Sequence, residues 1–232
     1  NETHNNLELV KYFVERGADM KAKDDDNTTP LHYACEKGNL DVVKYLVEQG
    51  ADMEAKDKYN NTPHDTPLHH ACESGNLDMV KYLVEQGADV KAKDIMRRTP
   101  LHDACTNGNL DMVKYLVEEQ GADIEEKDND DNTPFHYACY SGNLEVVKYL
   151  VEQGADMEAK NDDNSTPLHY ACDGGNLDVV KYLVEEKRAD MEAKNIDNYT
   201  PLHIACLYGK ENLDVVKYLV EQGADMEAKN NN

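Results

Sequence analysis

One phrase of residues is written six times along this chain. TPLHYAC begins at Thr29, and variants of it begin at Thr66, Thr99, Thr133, Thr166 and Thr200, at steps of 37, 33, 34, 33 and 34 residues. A fixed period in this range constrains the fold more than any other feature: each copy is one supersecondary unit, and the copies must stack into a solenoid.

The copy from Thr133 to Ser165 shows how a unit is built. Thr133 suits a helix N-cap, and Pro134 follows at the first helical position, where its missing N–H costs nothing. Phe135, Ala138 and Cys139 then share one helical face, and Gly142 ends the short helix. Asn143 caps a second helix, whose broad apolar face holds Leu144, Val146, Val147, Leu150 and Val151. Gly154 stands where a left-handed C-cap residue is expected. The tail MEAKNDDNS is polar and turn-rich, which predicts an exposed loop or hairpin leading to the next Thr-Pro. Two antiparallel helices and a projecting tip cannot bury their apolar face alone, but stacked neighbours can.

TPLHxA followed by GNLDVVKYLVEQGAD resembles the ankyrin repeat, and the resemblance covers essentially the whole chain. It implies an all-α, ankyrin-type α-solenoid of L-shaped helix-turn-helix repeats in a curved array, with projecting hairpin or loop tips. It also implies a protein that binds other proteins without catalysis. The array reads as one domain over 1–232, with a partial repeat at 1–28 and repeats at 29–65, 66–98, 99–132, 133–165, 166–199 and 200–232. Two substitutions depart from the family pattern. Cys takes the place of the second small apolar residue after His, and Asn takes the place of the common His before Leu; each keeps the role.

Irregularities fall at particular places. Leu7 to Gly17 matches a second helix whose partner is absent, and Val10 and Phe13 keep the apolar pattern, so apolar surface is expected at that end. The long exit loop Asp57–Asp65 is expected to push Tyr59 and His64 outward, at little cost in stability. The tip Asp94-Ile95-Met96-Arg97-Arg98 places apolar and paired basic residues where the other tips read as Asp and Asn. The extra Glu in Glu118-Glu119-Gln120-Gly121 predicts a helix that runs slightly longer or ends in a bulge. In Glu185-Glu186-Lys187-Arg188 the Gly is missing, which predicts a locally rearranged helix end, since a non-Gly residue held left-handed costs about 1 kcal/mol. The last unit is longer between its helices and carries no dedicated cap.

Charge narrows the partner. With 47 acidic against 24 basic residues the formal charge is -23, which argues against nucleic acid and against an anionic membrane surface. It leaves a protein or peptide, with a basic one as the sharper expectation. No apolar run approaches the roughly 20 residues that span a bilayer, and the first residues lack the pattern of a signal peptide. The cysteines Cys35, Cys72, Cys105, Cys139, Cys172 and Cys206 occupy one equivalent place per repeat. Stacked helices hold equivalent atoms about 8–10 Å apart, beyond the roughly 7 Å reach of a disulfide. Six buried, reduced thiols are therefore expected, and with them a reducing compartment, cytoplasm or nucleus.

Each repeat also carries His and Cys three apart, as in His32 and Cys35. Metal ligation needs several donors about 2.0–2.3 Å from one ion, and a catalytic thiol needs one activated copy, not six alike. The reading is structural: His bonds near the Thr of its helix start, and Cys is core. No catalytic residue, cofactor or metal is expected. The acidic tips lack the spaced ligands and central Gly of a calcium loop.

What differs among the copies points to recognition. The residue after His reads Tyr33, His70, Asp103, Tyr137, Tyr170 and Ile204, and the residue after Cys includes Tyr140 and Leu207, with Tyr208 beside it. The resemblance implies that these rows line a concave face beside the tips, which add Tyr59, Ile95, Met96, Arg97, Arg98 and Tyr199. Tyr is favoured at interfaces for its large, rigid contact area, so Tyr137, Tyr140 and Tyr170 are expected as central anchors. Two alternatives stand beside this reading: a structural array that associates end to end, and a designed ankyrin scaffold, against which the irregular inserts argue.

Overall fold

The computed structural model describes residues 2–59, 62–63, 65–207 and 212–231, with the side chains of 2–5, 59 and 62–63 excepted. A single helix, α1 (Glu2–Glu15), comes first, longer than the Leu7–Gly17 match implied. Six helix pairs follow: α2 (Pro30–Glu36) with α3 (Leu40–Glu48), α4 (Pro67–Glu73) with α5 (Leu77–Glu85), α6 (Pro100–Asn107) with α7 (Leu110–Lys114), α8 (Pro134–Ser141) with α9 (Leu144–Glu152), α10 (Pro167–Asp173) with α11 (Leu177–Lys181), and α12 (Pro201–Leu207) with α13 (Leu213–Glu221). Among the described residues the one departure from helix is a two-residue ribbon in the long exit loop. There β1 (Lys58–Tyr59) pairs antiparallel with β2 (Thr62–Pro63), Lys58 opposite Pro63. The outward placement expected for Tyr59 and His64 concerns side chains outside the described residues.

The helices stack in sequence order, first helices on first helices and second on second. The expected apolar stripes meet in one continuous core: Leu31, Leu68, Leu101, Phe135 and Leu168 from the first helices, Val43, Val80, Val113, Val147 and Val180 from the second, all essentially without solvent contact. Cys35, Cys72, Cys105, Cys139 and Cys172 lie in that core as free thiols, and burial drives their pKa values upward. Cys206 corrects the expectation of six alike. Its thiol is free but exposed, because the last helix pair has no neighbour on its outer side among the described residues.

The Thr-Pro-Leu-His phrase is the joint between repeats. In every copy the backbone N–H of Thr donates to Nδ1 of the His three residues on, at 3.0–3.3 Å. Nδ1 is thereby the acceptor, so the ring proton sits on Nε2. From His32, His69, His102, His136 and His169 that Nε2–H donates to the carbonyl preceding the next Thr: Asp65, Arg98, Asn132, Ser165 and Tyr199. One imidazole thus caps its own helix and ties it to the following repeat. Burial, ahead of every other influence, lowers these five imidazoles below their ordinary pKa, His69 and His136 to about 4.

Each tip is a loop closed by the residue that opens it. Asp24, Asp94, Asp128, Asn161 and Asn195 accept the backbone N–H four residues on through their side chains, and each donates its own N–H to that residue's carbonyl. The fourth residue of the loop is left-handed: Asn27, Arg97, Asp131, Asn164 and Asn198 all have φ near +60°. Successive tips bond to one another, as Asn129 N–H does to the Met96 carbonyl at 2.7 Å and Ile196 N–H to that of Asp163 at 2.9 Å.

The two inserted-Glu helices end in π-helical turns, Tyr115–Glu119 after α7 and Tyr182–Glu186 after α11. A one-residue insertion has this form when the flanking residues must keep their places. The left-handed residue that follows is Gly121 in one and Arg188 in the other, with φ of 65° and 59°.

Candidate functional site

The residue after the framework His faces the tip of its own repeat's entry loop. Tyr33 donates its hydroxyl to Asp24 Oδ2 at 2.7 Å, and Tyr137 donates to Asp128 Oδ2 at 2.6 Å. Tyr170 donates to Asn132 Oδ1 at 2.6 Å and accepts from Asn161 Nδ2 at 3.1 Å. In each case the tip residue that opens the loop stands nine positions before the aromatic one, so the ring clasps the loop to the helix. Burial and the Asp128 carboxylate both raise the Tyr137 hydroxyl. Burial raises that of Tyr170, to about 12. These rings also pack edge-on against the preceding framework imidazoles, Tyr137 on His102 and Tyr170 on His136.

The three expected central anchors differ in what they leave to a partner. Tyr137 and Tyr170 are half-buried and their hydroxyls serve the fold, so they hold the tips in place. The side chain free to reach outward is Tyr140, half exposed, one turn along α8. Tyr33 combines both features: its hydroxyl is bonded while its ring is 48% exposed.

At the next two repeats the same position is not aromatic-hydroxyl, and the chemistry changes. His70 Nε2–H donates to Asp57 Oδ2 at 2.9 Å, the clasp of Tyr33 remade by an imidazole across the longer loop. Its Nδ1 lies 3.6 Å from Glu73 Oε2. Burial alone would lower His70, but the carboxylates of Asp57 and Glu73 outweigh it and hold the ring up to about 10. Asp103 faces Asp94, acid against acid. Arg98 intervenes, its Nε 2.7 Å from Asp94 Oδ2 and its Nη1 3.7 Å from Asp103 Oδ1. Asp103 is 2% exposed and burial pushes its pKa well up, against the pull of Arg98. A partner cannot touch it, so it is struck from the contact residues. Arg98 likewise spends its charge inside the molecule.

The remaining candidates are placed as follows. Met96, Arg97 and Leu207 are exposed; Ile95, Tyr199 and Ile204 are half-buried. Tyr208 lies outside the described residues. Sequence reasoning missed Ile196, 52% exposed at the tip position equivalent to Ile95; the signal was present, an Ile where other tips carry Asp. Beyond the last helix pair, Leu202, Cys206, Leu207, Val216 and Met226 line an open apolar groove of about 390 Å³. At the other end of the stack Leu9, Tyr12 and Phe13 are about half exposed on α1.

The far side of the array is a different surface. Lys44, Lys81, Lys114, Lys148 and Lys181 each set their ammonium 5.4–5.9 Å from the ring of the Tyr on the next second helix. These tyrosines, four of them almost fully buried, are part of the stack.

Among solved structures the chain is similar to the ankyrin repeat domain of human ASB11, with 25% identity and a TM-score of 0.76 over 93% of this chain and 94% of that one. No curated protein sequence matches it. No helix among the described residues is long and apolar enough to cross a membrane. The family model for ankyrin repeats in three copies matches residues 2–94, 93–161 and 153–230. Its members are generally non-catalytic modules that bind proteins, and with residues 2–230 matched the chain belongs to the ankyrin repeat family.

Proposed function

We propose that this array is a non-catalytic recognition module that grips a protein through the face formed by its first helices and tips. One observation carries the reading: Tyr33, Tyr140 and Leu207 stand exposed along the first helices, with Met96, Arg97 and Ile196 exposed on the tips beside them, on a chain of net charge -23. Apolar anchors within an acidic rim suit a partner with a basic, apolar-centred surface. The clasped tyrosines give these anchors a rigid mounting, which lowers the entropic cost of binding. We infer a reducing compartment, cytoplasm or nucleus, for this activity, a reading that the free and mostly buried thiols support.

The test is a double substitution, Tyr140→Ala with Leu207→Ala, against a partner captured by the wild-type chain. Affinity should fall at least about tenfold, as two truncated anchors of about 1 kcal/mol each imply, with helix content unchanged. Unchanged affinity would remove this face from consideration. A second reading, end-to-end association, rests on the open groove lined by Leu202 and Val216 and on the exposed Leu9 and Phe13 of α1. Sedimentation over a concentration series separates the two, since a strict monomer excludes association.

A further inference from the structure

The boundary between the first two full repeats gathers a group of side chains that the recognition reading does not use. We propose that Asp65, His70 and Glu73 form a binding site for a divalent transition-metal ion of the zinc class, with Asp57 fixing the imidazole from behind. One donor atom from each of the three lies within 4.8 Å of the others. His70 and Glu73 stand three apart on α4 and so share a face. Asp65 immediately precedes the N-cap Thr66 and is buried.

The imidazole is oriented for ligation. Nε2–H is donated to Asp57 Oδ2 at 2.9 Å and Nδ1 faces Glu73 Oε2 at 3.6 Å; the two carboxylates keep the ring protonated at neutral pH, so a metal ion would take the place of the Nδ1 proton, which is released on binding. A carboxylate behind a ligating histidine is the usual means of fixing tautomer and basicity. Charge agrees with geometry. Asp103, 2% exposed, has a buried Oδ2 with no hydrogen-bond partner among the described residues, and it lies in the field of both Asp65 and Glu73. Among the described residues Asp57, Glu73, Asp94 and Asp103 stand against two cations, Arg98 and the His70 imidazolium. A dication answers that excess. Among the described residues the clasps of Tyr33, Tyr137 and Tyr170 present no comparable group.

A second triad, His32 with Asp57 and His70, is as compact. It is the poorer site, because His32 already accepts at Nδ1 from Thr29 and donates from Nε2 to the Asp65 carbonyl; ligation would break a joint between repeats. One nitrogen and two carboxylates suit zinc, cobalt or nickel better than magnesium or calcium, which take oxygen alone. Donors about 2.0–2.1 Å from a tetrahedral ion are about 3.3 Å apart, and the Glu73 side chain, 48% exposed, has the freedom to close the difference.

The experiment titrates Zn²⁺ into the full chain, freed of metal by chelator, at neutral pH against a chromophoric competitor, with Co²⁺ absorption as a report on geometry. One ion per chain is expected, with Kd at or below about 10 μM, or roughly 7 kcal/mol. His70→Tyr installs the residue that the other repeats use to clasp the tip, so it keeps the fold while removing the ligand; Zn²⁺ binding and the visible Co²⁺ bands should disappear. Asp57→Asn should weaken binding about 10–100-fold, the usual effect of losing the group behind a ligating histidine. Failure of the wild-type chain to bind Zn²⁺, or binding that His70→Tyr leaves unchanged, overturns the assignment.

Discussion

Two stretches of this array solve one problem in different ways. From Asp128 to Tyr170 each tip is clasped by a tyrosine hydroxyl, a neutral donor on a ring that also fills space. From Asp57 to Asp103 the same positions hold an imidazole and a carboxyl, and the joint relies on charge: His70 between Asp57 and Glu73, Arg98 between Asp94 and Asp103. The framework beneath is the same in both, down to the Thr–His bond. The difference teaches that the position after the framework His is first a structural one. Only what it leaves exposed is available to a partner.

The largest effect expected is common to both stretches and tests whether the framework is truly shared. The unfolded imidazole has its ordinary pKa near 6.5, and the folded His136 has about 4. A lowered folded value means that the unfolded state binds more protons between the two. The His136 contribution is complete above about pH 6.5 and is lost as pH falls toward 4, by on the order of 3 kcal/mol. His32, His69, His102 and His169 are shifted in the same direction. Urea unfolding at stepped pH should show stability falling through this window, with amide protection around Thr66 and around Thr166 lost together. Protection lost at one stretch while the other is retained would break the claim of a common frame.

The next effect should separate the stretches. Arg98→Met leaves Asp94 and Asp103 facing each other without their cation, and the loss should be about 3 kcal/mol, the lower end for breaking a largely buried pair, because the Arg98 side chain keeps 21% of its exposure. Adding Asp103→Tyr to Arg98→Met converts the charged joint into the tyrosine clasp, with Asp94 as acceptor. That double variant should regain most of the loss in urea midpoint. A double variant no better than the single would show that the two joints are not interchangeable.

Tyr137→Phe probes the neutral joint alone. It removes one hydroxyl donated to Asp128 and leaves the ring against His102, so about 1–1.5 kcal/mol should be lost. Hydrogen exchange should quicken at the Asp128–Asn132 tip and hardly elsewhere. Exchange unchanged at that tip would mean that the clasp does not hold it.

Much of this was readable before any coordinates, and what was not readable has a physical reason. Thr, Pro, His and Gly recur because backbone geometry demands them, so the helix pairs, the Thr–His bond and the left-handed turn at Gly154 follow from single residues and short spacings. The clasps do not. They join a helix to a loop nine residues back, and a tyrosine engaged there reads in sequence like a tyrosine awaiting a guest. A clasped Tyr137 or Tyr170 is therefore not told from a free one by sequence, and Asp103 reads as exposed from its row position while the burying cation comes from a tip. Arg97 and Arg98 look alike in sequence, yet one is presented at φ +61° and the other is spent on Asp94.

The smallest effect concerns two copies within the array that differ at one left-handed residue. Both inserted-Glu helices pass through a π-turn and then reverse, one at Gly121 and the other at Arg188. Arg188 is exposed and gives up nothing buried on replacement. Its side chain makes the left-handed conformation costlier than glycine would, whereas glycine adds entropy to the unfolded chain. The two oppose, and for φ near +60° the steric term is the larger. Arg188→Gly should therefore stabilise by about 0.5–1 kcal/mol, raising the urea midpoint slightly. Gly121→Arg should cost a similar amount, since nothing lies within 4 Å of a Cβ built there and the penalty is conformational alone. If Arg188→Gly lowers the midpoint, contacts of the Arg188 side chain outweigh the backbone cost, and the two turns are not equivalent.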